Sequence, residues 1–510
     1  MSSAATVESR SRVRLFEWFT VALIAILVVA LRLGTDLGRD LWEDEVLSAV
    51  HSQHPAWQLP VEVARDDVHP FLYFFQLHLW SLVGDSDTWL RLNSVFWNLA
   101  AIGSLLVVGR RLYGSRVGWI AAGLFALSAP CVWLALDVRP YSFMSCVYIW
   151  AFFSVEMWCR DSGRRVGYKI ASFLLCVALI YSHGLGFFMV FMLGLYALSR
   201  MVVLGLDRRQ FVTWILLFGL CALTAGPPLV EVLLRDANLV PSLGVVGDLA
   251  LWVPRFLLPR GNEPLALVAS SAVFVGVVLV GGAVRATRPM ALIFVALPLA
   301  IAVVLNVFGF QLFKLAVFTM FIVPPFTLVL ARLLGRLPPR QAWGGAAAAG
   351  VLFLVFTALF FGDRVPATGF RAATAMIEAQ ARPGDIVYVP QQSMFWGMAR
   401  YMDPDRRAWQ LQIAPGLTPE WRRMYDRLGP WFVSTFKLEP QGQILQPPSG
   451  PPLLVGNDSL QQAAQAHRVW LVTYSLRRVD LPRWFPAATI GTLRPSTTAT
   501  TGFLNITLYE

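Results

Sequence analysis

Four short stretches place carboxylate, imidazole and guanidinium groups at spacings suited to proton transfer and anion binding. The first is Trp42-Glu43-Asp44-Glu45, in which Asp44 and Glu45 are candidate general bases. A hydroxyl is a poor nucleophile, and a positioned carboxylate that takes its proton contributes roughly 10²–10⁴ in rate. Apolar walls around that carboxylate would leave its charge poorly screened. The second is Asp67-Val68-His69-Pro70. Pro70 is expected to open a helix, since its missing N–H costs nothing at the first helical position, with His69 near the cap and facing water. The third is Asp137-Val138-Arg139-Pro140-Tyr141, where Arg139 either pairs with Asp137 or neutralises an anion with its rigid donor fork. The fourth is Tyr181-Ser182-His183-Gly184, a turn whose glycines would let two helices approach closely, which could by itself explain it. Lys314, Arg255 and Arg260 are further cations. Snorkelling is the alternative for Lys314, and plain solvation for the two arginines.

The elements that hold these groups are apolar. The chain has 510 residues, 56% hydrophobic and only 14% charged, where a soluble chain carries about 25% charged residues. Runs close to the ~20 residues needed to cross a bilayer recur from residue 15 to residue 362. They fall near 15–34, 93–109, 117–134, 141–158, 169–182, 184–203, 211–231, 264–284, 289–308, 314–333 and 342–362, about eleven transmembrane helices. The net charge of +11 could indicate nucleic-acid binding, but the basic residues occupy short connectors. Examples are Arg110, Arg111 and Arg116, then Arg160, Arg164, Arg165 and Lys169, then Arg332, Arg336 and Arg340. Such connectors mark cytoplasmic loops, and nucleic acid is excluded as a partner. The five cysteines lie in or beside apolar segments without metal-ligand spacing. The basic N-terminus followed by the long run from Leu15 to Leu33 reads as a retained anchor rather than a cleaved signal peptide.

Placing the basic connectors inside gives a multi-pass protein of the inner (plasma) membrane, with a cytoplasmic N-terminus and an extracytoplasmic C-terminal domain. The expected division is residues 1–362 as the membrane domain and 363–510 as the outer domain. The outer loop 35–92 is acidic, and its apolar segment 68–83 is expected to lie at the interface, because counting it as a span would invert every loop after it. Beyond Gly362 the texture is that of a soluble α/β domain. A helical pattern at 369–381 precedes a strand at 385–390. A second helix follows at 394–402, then a Pro- and Gln-rich loop at 439–452 and a strand from Arg468. All four chemical stretches map to the outer face.

Several of these segments also resemble a known family. Asp44-Glu45, the stretch HPFLYFFQLHLWSLVGDSDTWLRLNSVF from His69, GRRLYGSRVGWIAAGLFALSAP and DVRPYSF are similar to GT-C fold glycosyltransferases. The resemblance is to the protein mannosyltransferase and lipid A aminoarabinose transferase group, over roughly residues 40–200. It implies inverting transfer from a polyprenyl-phosphate sugar to a glycolipid, polysaccharide or protein acceptor. Asp44 would be the base and Glu45 would complete the acidic pair. His69 and Arg139 would lie near the donor phosphate and active-site loop, Tyr141 follows in the same motif, His183 matches a family preference for His at that turn, and Arg255, Arg260 and Lys314 would be further phosphate contacts. The chain departs from the family at Phe71, where a second Pro is frequent, and at Lys314, which lacks a neighbouring Tyr. A divalent cation could share the leaving-group role, although no ligand spacing demands one. The competing classes are a lipid-linked-sugar flippase and a ligase or polymerase using diphosphate-linked glycans. A transporter would carry its ionisable groups within the membrane and show matching halves, and this sequence does neither.

Overall fold

The computed structural model describes residues 26–34, 37–66, 69–161, 164–205, 208–235, 256–259, 263–307, 315–362, 368–389, 392–402, 411–413, 443–445, 451–455, 468–474 and 494–509. It is mostly helical. Helix α1 (26–33) ends the first apolar run, and three shorter helices follow: α2 (Glu43–Gln53), α3 (Leu59–Asp66) and α4 (Leu72–Ser81). At ten residues, α4 is about 15 Å long, half the hydrocarbon thickness of a bilayer. Its first residue is Leu72, so Pro70 precedes the helix instead of opening it, and Phe71 takes the cap. The bundle continues with α5 (Asp87–Tyr113), α6 (Ser115–Leu127), α7 (Ala129–Leu134), α8 (Tyr141–Arg160), α9 (Val166–Ile180), α10 (Leu185–Leu204) and α11 (Arg208–Arg235). It closes with α12 (Pro264–Ala283), α13 (288–307), α14 (Leu315–Leu334) and α15 (Pro339–Gly362). Five of the described helices, α5, α8, α10, α12 and α15, are long and apolar enough to cross a membrane.

Local chemistry sets these boundaries. Ser86 caps α5 by accepting from the Trp89 N–H at 3.2 Å, and Gly114 ends it with φ +96° behind Arg110 and Arg111 in the last turn. The run expected as one span at 117–134 is two helices, broken at Ser128. Pro130 is the cause, since it lacks the N–H that would bond the carbonyl four residues back. That carbonyl, Ala126 O, accepts instead from the buried Arg32 Nη2 at 2.9 Å. Arg32 also reaches Asn98 Oδ1 at 2.9 Å, tying α1 to α5. Helix α13 is π-helical over Ala291–Ala296, and α14 carries Pro324 and Pro325 inside it.

After the bundle come α16 (Phe370–Gln380), β1 (Ile386–Val389), α17 (Gln392–Met402) and six strands. These are β2 (Leu411–Ile413), β3 (Gln443–Leu445), β4 (Leu453–Val455), β5 (Val469–Tyr474), β6 (Pro495–Thr501) and β7 (Leu504–Tyr509). The sheet order is β2-β3-β4-β1-β5-β7-β6, with β1 parallel to both β4 and β5 and the other pairs antiparallel. The segment expected as a loop at 439–452 therefore contains a strand, β3. Three residues are too few to show a two-residue period, and pairing with β2 and β4 makes the strand.

The buried apolar residues form two clusters. One fills the helical bundle, from Ala101 to Phe356. The other joins Leu41, Val46, Ala49 and Val50, between α1 and α3, to Phe370, Phe395, Met398 and Ala399 beside the sheet. The loop that carries Asp44 and Glu45 thus shares a core with the C-terminal sheet and its helices.

Candidate active site

Helix α2 begins with Glu43, Asp44 and Glu45 in its first turn, where backbone N–H groups favour negative charge. Two adjacent carboxylates there meet opposite surroundings. Glu45 is fully buried. Its Oε2 accepts from the Trp42 N–H at 3.1 Å and its Oε1 from the Val138 N–H at 3.0 Å. Arg91, also fully buried, grips both oxygens, with Nη2 to Oε2 at 2.8 Å and Nε to Oε1 at 3.2 Å. The same guanidinium donates to the carbonyls of Leu37, Arg39 and Asp40. Glu45 and Arg91 therefore knit together the loop before α2, the start of α5 and the loop containing Asp137 to Pro140. A bidentate pair with its remaining lone pairs satisfied holds geometry well.

Asp44 is open. Its side chain is 46% exposed, and its Oδ2 stands 4.0 Å from Nη2 of Arg139, whose side chain is only 5% exposed. Arg139 is anchored to the same turn through Nη1, which reaches the Asp44 carbonyl at 3.2 Å and Ser48 Oγ at 3.4 Å. Asp137 pairs with Arg39 at 3.6 Å, and its carbonyl accepts from Ser94 Oγ. A carboxylate in contact with water, beside a cation held from behind, can accept a proton while the cation faces an anion.

The two histidines form the other side of the cluster. His69 and His183 stack with ring centroids 3.8 Å apart, and Tyr141 lies 5.7 Å from His183. The Leu185 N–H donates to His183 Nδ1 at 3.0 Å, so the neutral ring carries its proton on Nε2 and presents it as a donor. The turn that holds His183 is tight because Gly186 packs on the preceding helix: a Cβ there would collide with the Leu179 carbonyl. The Leu72 N–H bonds to the Tyr181 carbonyl at 2.9 Å, fixing α4 against this turn.

Asp44, Glu45 and Arg139 thus come together, as do His69, Tyr141 and His183. Tyr73 of α4 links the two groups, since the charges of Arg139 and Glu45 and the Tyr141 hydroxyl all act on its phenol. Burial pushes the Tyr73 pKa well up against a smaller opposing pull from Arg139. Arg255, Arg260 and Lys314 lie outside the described residues, as does Asp67. Among the described residues no three His, Cys, Asp or Glu side chains are gathered closely enough to hold a metal ion.

Sequence reasoning passed over Arg91 and Tyr73. Arg91 carried a usable signal, since in the expected topology it is a cation on the outer side, the same departure from charge bias that singled out Arg139. It also missed the clamp on the far side of the loop. Asp87, which opens α5, accepts from Arg400 Nη2 at 2.7 Å, Arg371 Nη2 at 2.8 Å and the Tyr401 hydroxyl at 2.7 Å. The Tyr401 oxygen in turn accepts from the Leu41 N–H at 2.8 Å. Helices α16 and α17 are thereby fastened directly to the strand of chain leading into Asp44. Burial, and then the Asp87 charge, raise the Tyr401 pKa, so its hydroxyl stays protonated.

Comparison with known proteins gives the fold. No family model matches the sequence, and neither does any curated protein sequence. Among solved structures, the chain is similar to ArnT from Cupriavidus metallidurans in the apo state, with a TM-score of 0.58 and 14% identity over 97% of this chain and 98% of that one. ArnT from the same organism bound to undecaprenyl phosphate gives a TM-score of 0.56 and 15% identity over 96% and 97%. The chain has the GT-C fold.

Proposed function

We propose that the protein is an inverting glycosyltransferase that moves a sugar from a polyprenyl-phosphate donor to an acceptor on the extracytoplasmic side of the membrane. The observation that carries this reading is the split between neighbouring carboxylates. Glu45 is sealed by Arg91, whereas Asp44 is left open beside the buried Arg139. In the proposed reaction the Asp44 carboxylate removes the proton of an acceptor hydroxyl. That oxygen attacks the anomeric carbon from the face opposite the phosphate, a C–O bond forms and the C–O bond to the phosphate breaks. The bonding pair leaves on the phosphate, whose added charge Arg139 stabilises, with the Nε2–H of His183 as a second donor. Groups aimed in advance at developing charge are usually the largest contribution to such a reaction. Glu45 acts through Arg91 as a positioning residue.

The likeness of fold to a protein captured with undecaprenyl phosphate supports a lipid-phosphate donor. The proposed topology has eleven crossings, with the N-terminus inside and the C-terminal sheet outside, which puts the site at the outer membrane surface. The acceptor is a glycolipid, a polysaccharide or a protein.

The test is turnover of synthetic polyprenyl-phosphate sugars by purified protein with a panel of hydroxyl acceptors. Asp44→Asn is expected to lower transfer by about 10²–10⁴ while leaving the melting temperature close to wild type. Full transfer by that variant would remove Asp44 as the base. Movement of the intact lipid-linked sugar across a bilayer without transfer would overturn the enzyme reading in favour of a flippase.

A further inference from the structure

Tyr73 carries a hydroxyl that burial should make costly. The residue is 1% exposed, and its oxygen has no hydrogen-bond partner among the described residues. Buried hydroxyls are nearly always bonded, because leaving water without a replacement partner is unfavourable. Its ring belongs to the apolar cluster that includes Leu41, Val46 and Val138, and it meets Phe74 edge-on at 5.4 Å. A phenylalanine would fill that space equally well and leave nothing unsatisfied. Packing alone therefore does not explain the oxygen.

Its surroundings indicate what it is for. The bond from the Leu72 N–H to the Tyr181 carbonyl fixes the first turn of α4, and so Tyr73, against the turn bearing His183. The phenol lies within electrostatic reach of Arg139, Glu45, Tyr141 and Asp137. Three of these groups are already engaged: the oxygens of Glu45 are taken by Arg91 and two backbone amides, Asp137 pairs with Arg39, and Arg139 Nη1 reaches the Asp44 carbonyl and Ser48 Oγ. A protonated phenol beside a guanidinium is a pair of donors, and such a pair suits an anionic oxygen better than a neutral hydroxyl.

We propose that the Tyr73 hydroxyl donates a hydrogen bond to the phosphate of the polyprenyl-phosphate lipid, strengthening as that phosphate departs from the sugar. This rests on the reading of the Asp44 site as a glycosyl-transfer site. The phenol stays protonated through the assay range, so it serves as a hydrogen-bond donor and takes no part in proton transfer.

Tyr73→Phe tests this, because it removes the oxygen and keeps the ring. The measurements are melting temperature, affinity for undecaprenyl phosphate in detergent, and kcat and KM for sugar transfer. The expected result is a melting temperature equal to or above wild type, with affinity lower on the order of tenfold or more, as a hydrogen bond to a charged group implies. The value of kcat falls as well, because the bond gains strength in the transition state. Unchanged affinity in a variant that melts normally would overturn the proposal, and so would a lowered melting temperature, which would mean the oxygen has a structural partner. Failure of the wild-type protein to bind undecaprenyl phosphate at all would instead overturn the functional reading beneath it.

Discussion

The two ends of helix α8 carry buried ion clusters built from the same residue types and finished differently. At the C-terminal end Glu156, 1% exposed, accepts from Arg160 Nε at 2.7 Å, Arg200 Nη2 at 3.2 Å and Nε at 3.1 Å, and the Tyr196 hydroxyl at 2.9 Å. Arg160 also reaches the Leu112 carbonyl at 3.3 Å near the end of α5. Every oxygen of that carboxylate is spoken for, and the cluster fastens α5, α8 and α10. At the other end, just ahead of α8, Arg139 faces a carboxylate 4.0 Å away that is 46% exposed, and the Tyr73 oxygen has no hydrogen-bond partner among the described residues. Burying charge costs free energy that only a full set of partners offsets. A carboxylate whose oxygens are all taken by buried partners acts as a fastener, while one left half-exposed beside a buried cation stays open to the surroundings.

The largest effect expected from this contrast is Asp44→Asn, with transfer falling by about 10²–10⁴ and little change in melting, since the side chain is half-exposed. Next is Glu45→Ala, which strands Arg91 in the interior and should destabilise the protein by about 3–5 kcal/mol. Adding Arg91→Met should restore part of that stability without restoring full activity, because the loop loses its tie to Val138. A Glu45→Ala variant that melted like wild type would undo its role as scaffold. Glu156→Gln should lower the melting temperature by a smaller margin yet leave turnover per folded molecule within about twofold, as expected of a site remote from the chemistry. If it abolished turnover at normal stability, the contrast between the two ends would fail. The smallest change is Tyr401→Phe, which removes one bond to Asp87 and one from Leu41 and should cost about 1–2 kcal/mol. Its kcat should drop modestly and in step with loosening of the Asp44 loop, which limited proteolysis of that loop can follow.

Legibility from sequence followed the range of the interactions involved. Hydropathy runs foretold the long helices, and the helical pattern at 369–381 is present as Phe370–Gln380. The break at Ser128 was readable in principle, since Pro130 alone causes it, but the apolar run on either side concealed it. The short strands β3 and β4 left no periodic trace and exist through pairing. The acidic turn at Asp44 and Glu45 was visible as composition, yet nothing local separates two neighbouring carboxylates. Their difference comes from Arg91, 46 residues from Glu45 in sequence.

Apolar run length, the sign of the charge in each connector and the residue types at each turn are properties of neighbours in the chain. From them alone the sequence determined a membrane protein with its chemical groups gathered toward one face. Partner choice joins segments distant in the chain, such as Arg400 to Asp87 across 313 residues. The tertiary structure decided which carboxylate is sealed and which is open, that the two histidines stack, and that the C-terminal helices brace the loop holding Asp44. The physical reason is that burial and charge pairing are settled by what packs together in space, which the order of residues along the chain does not reveal.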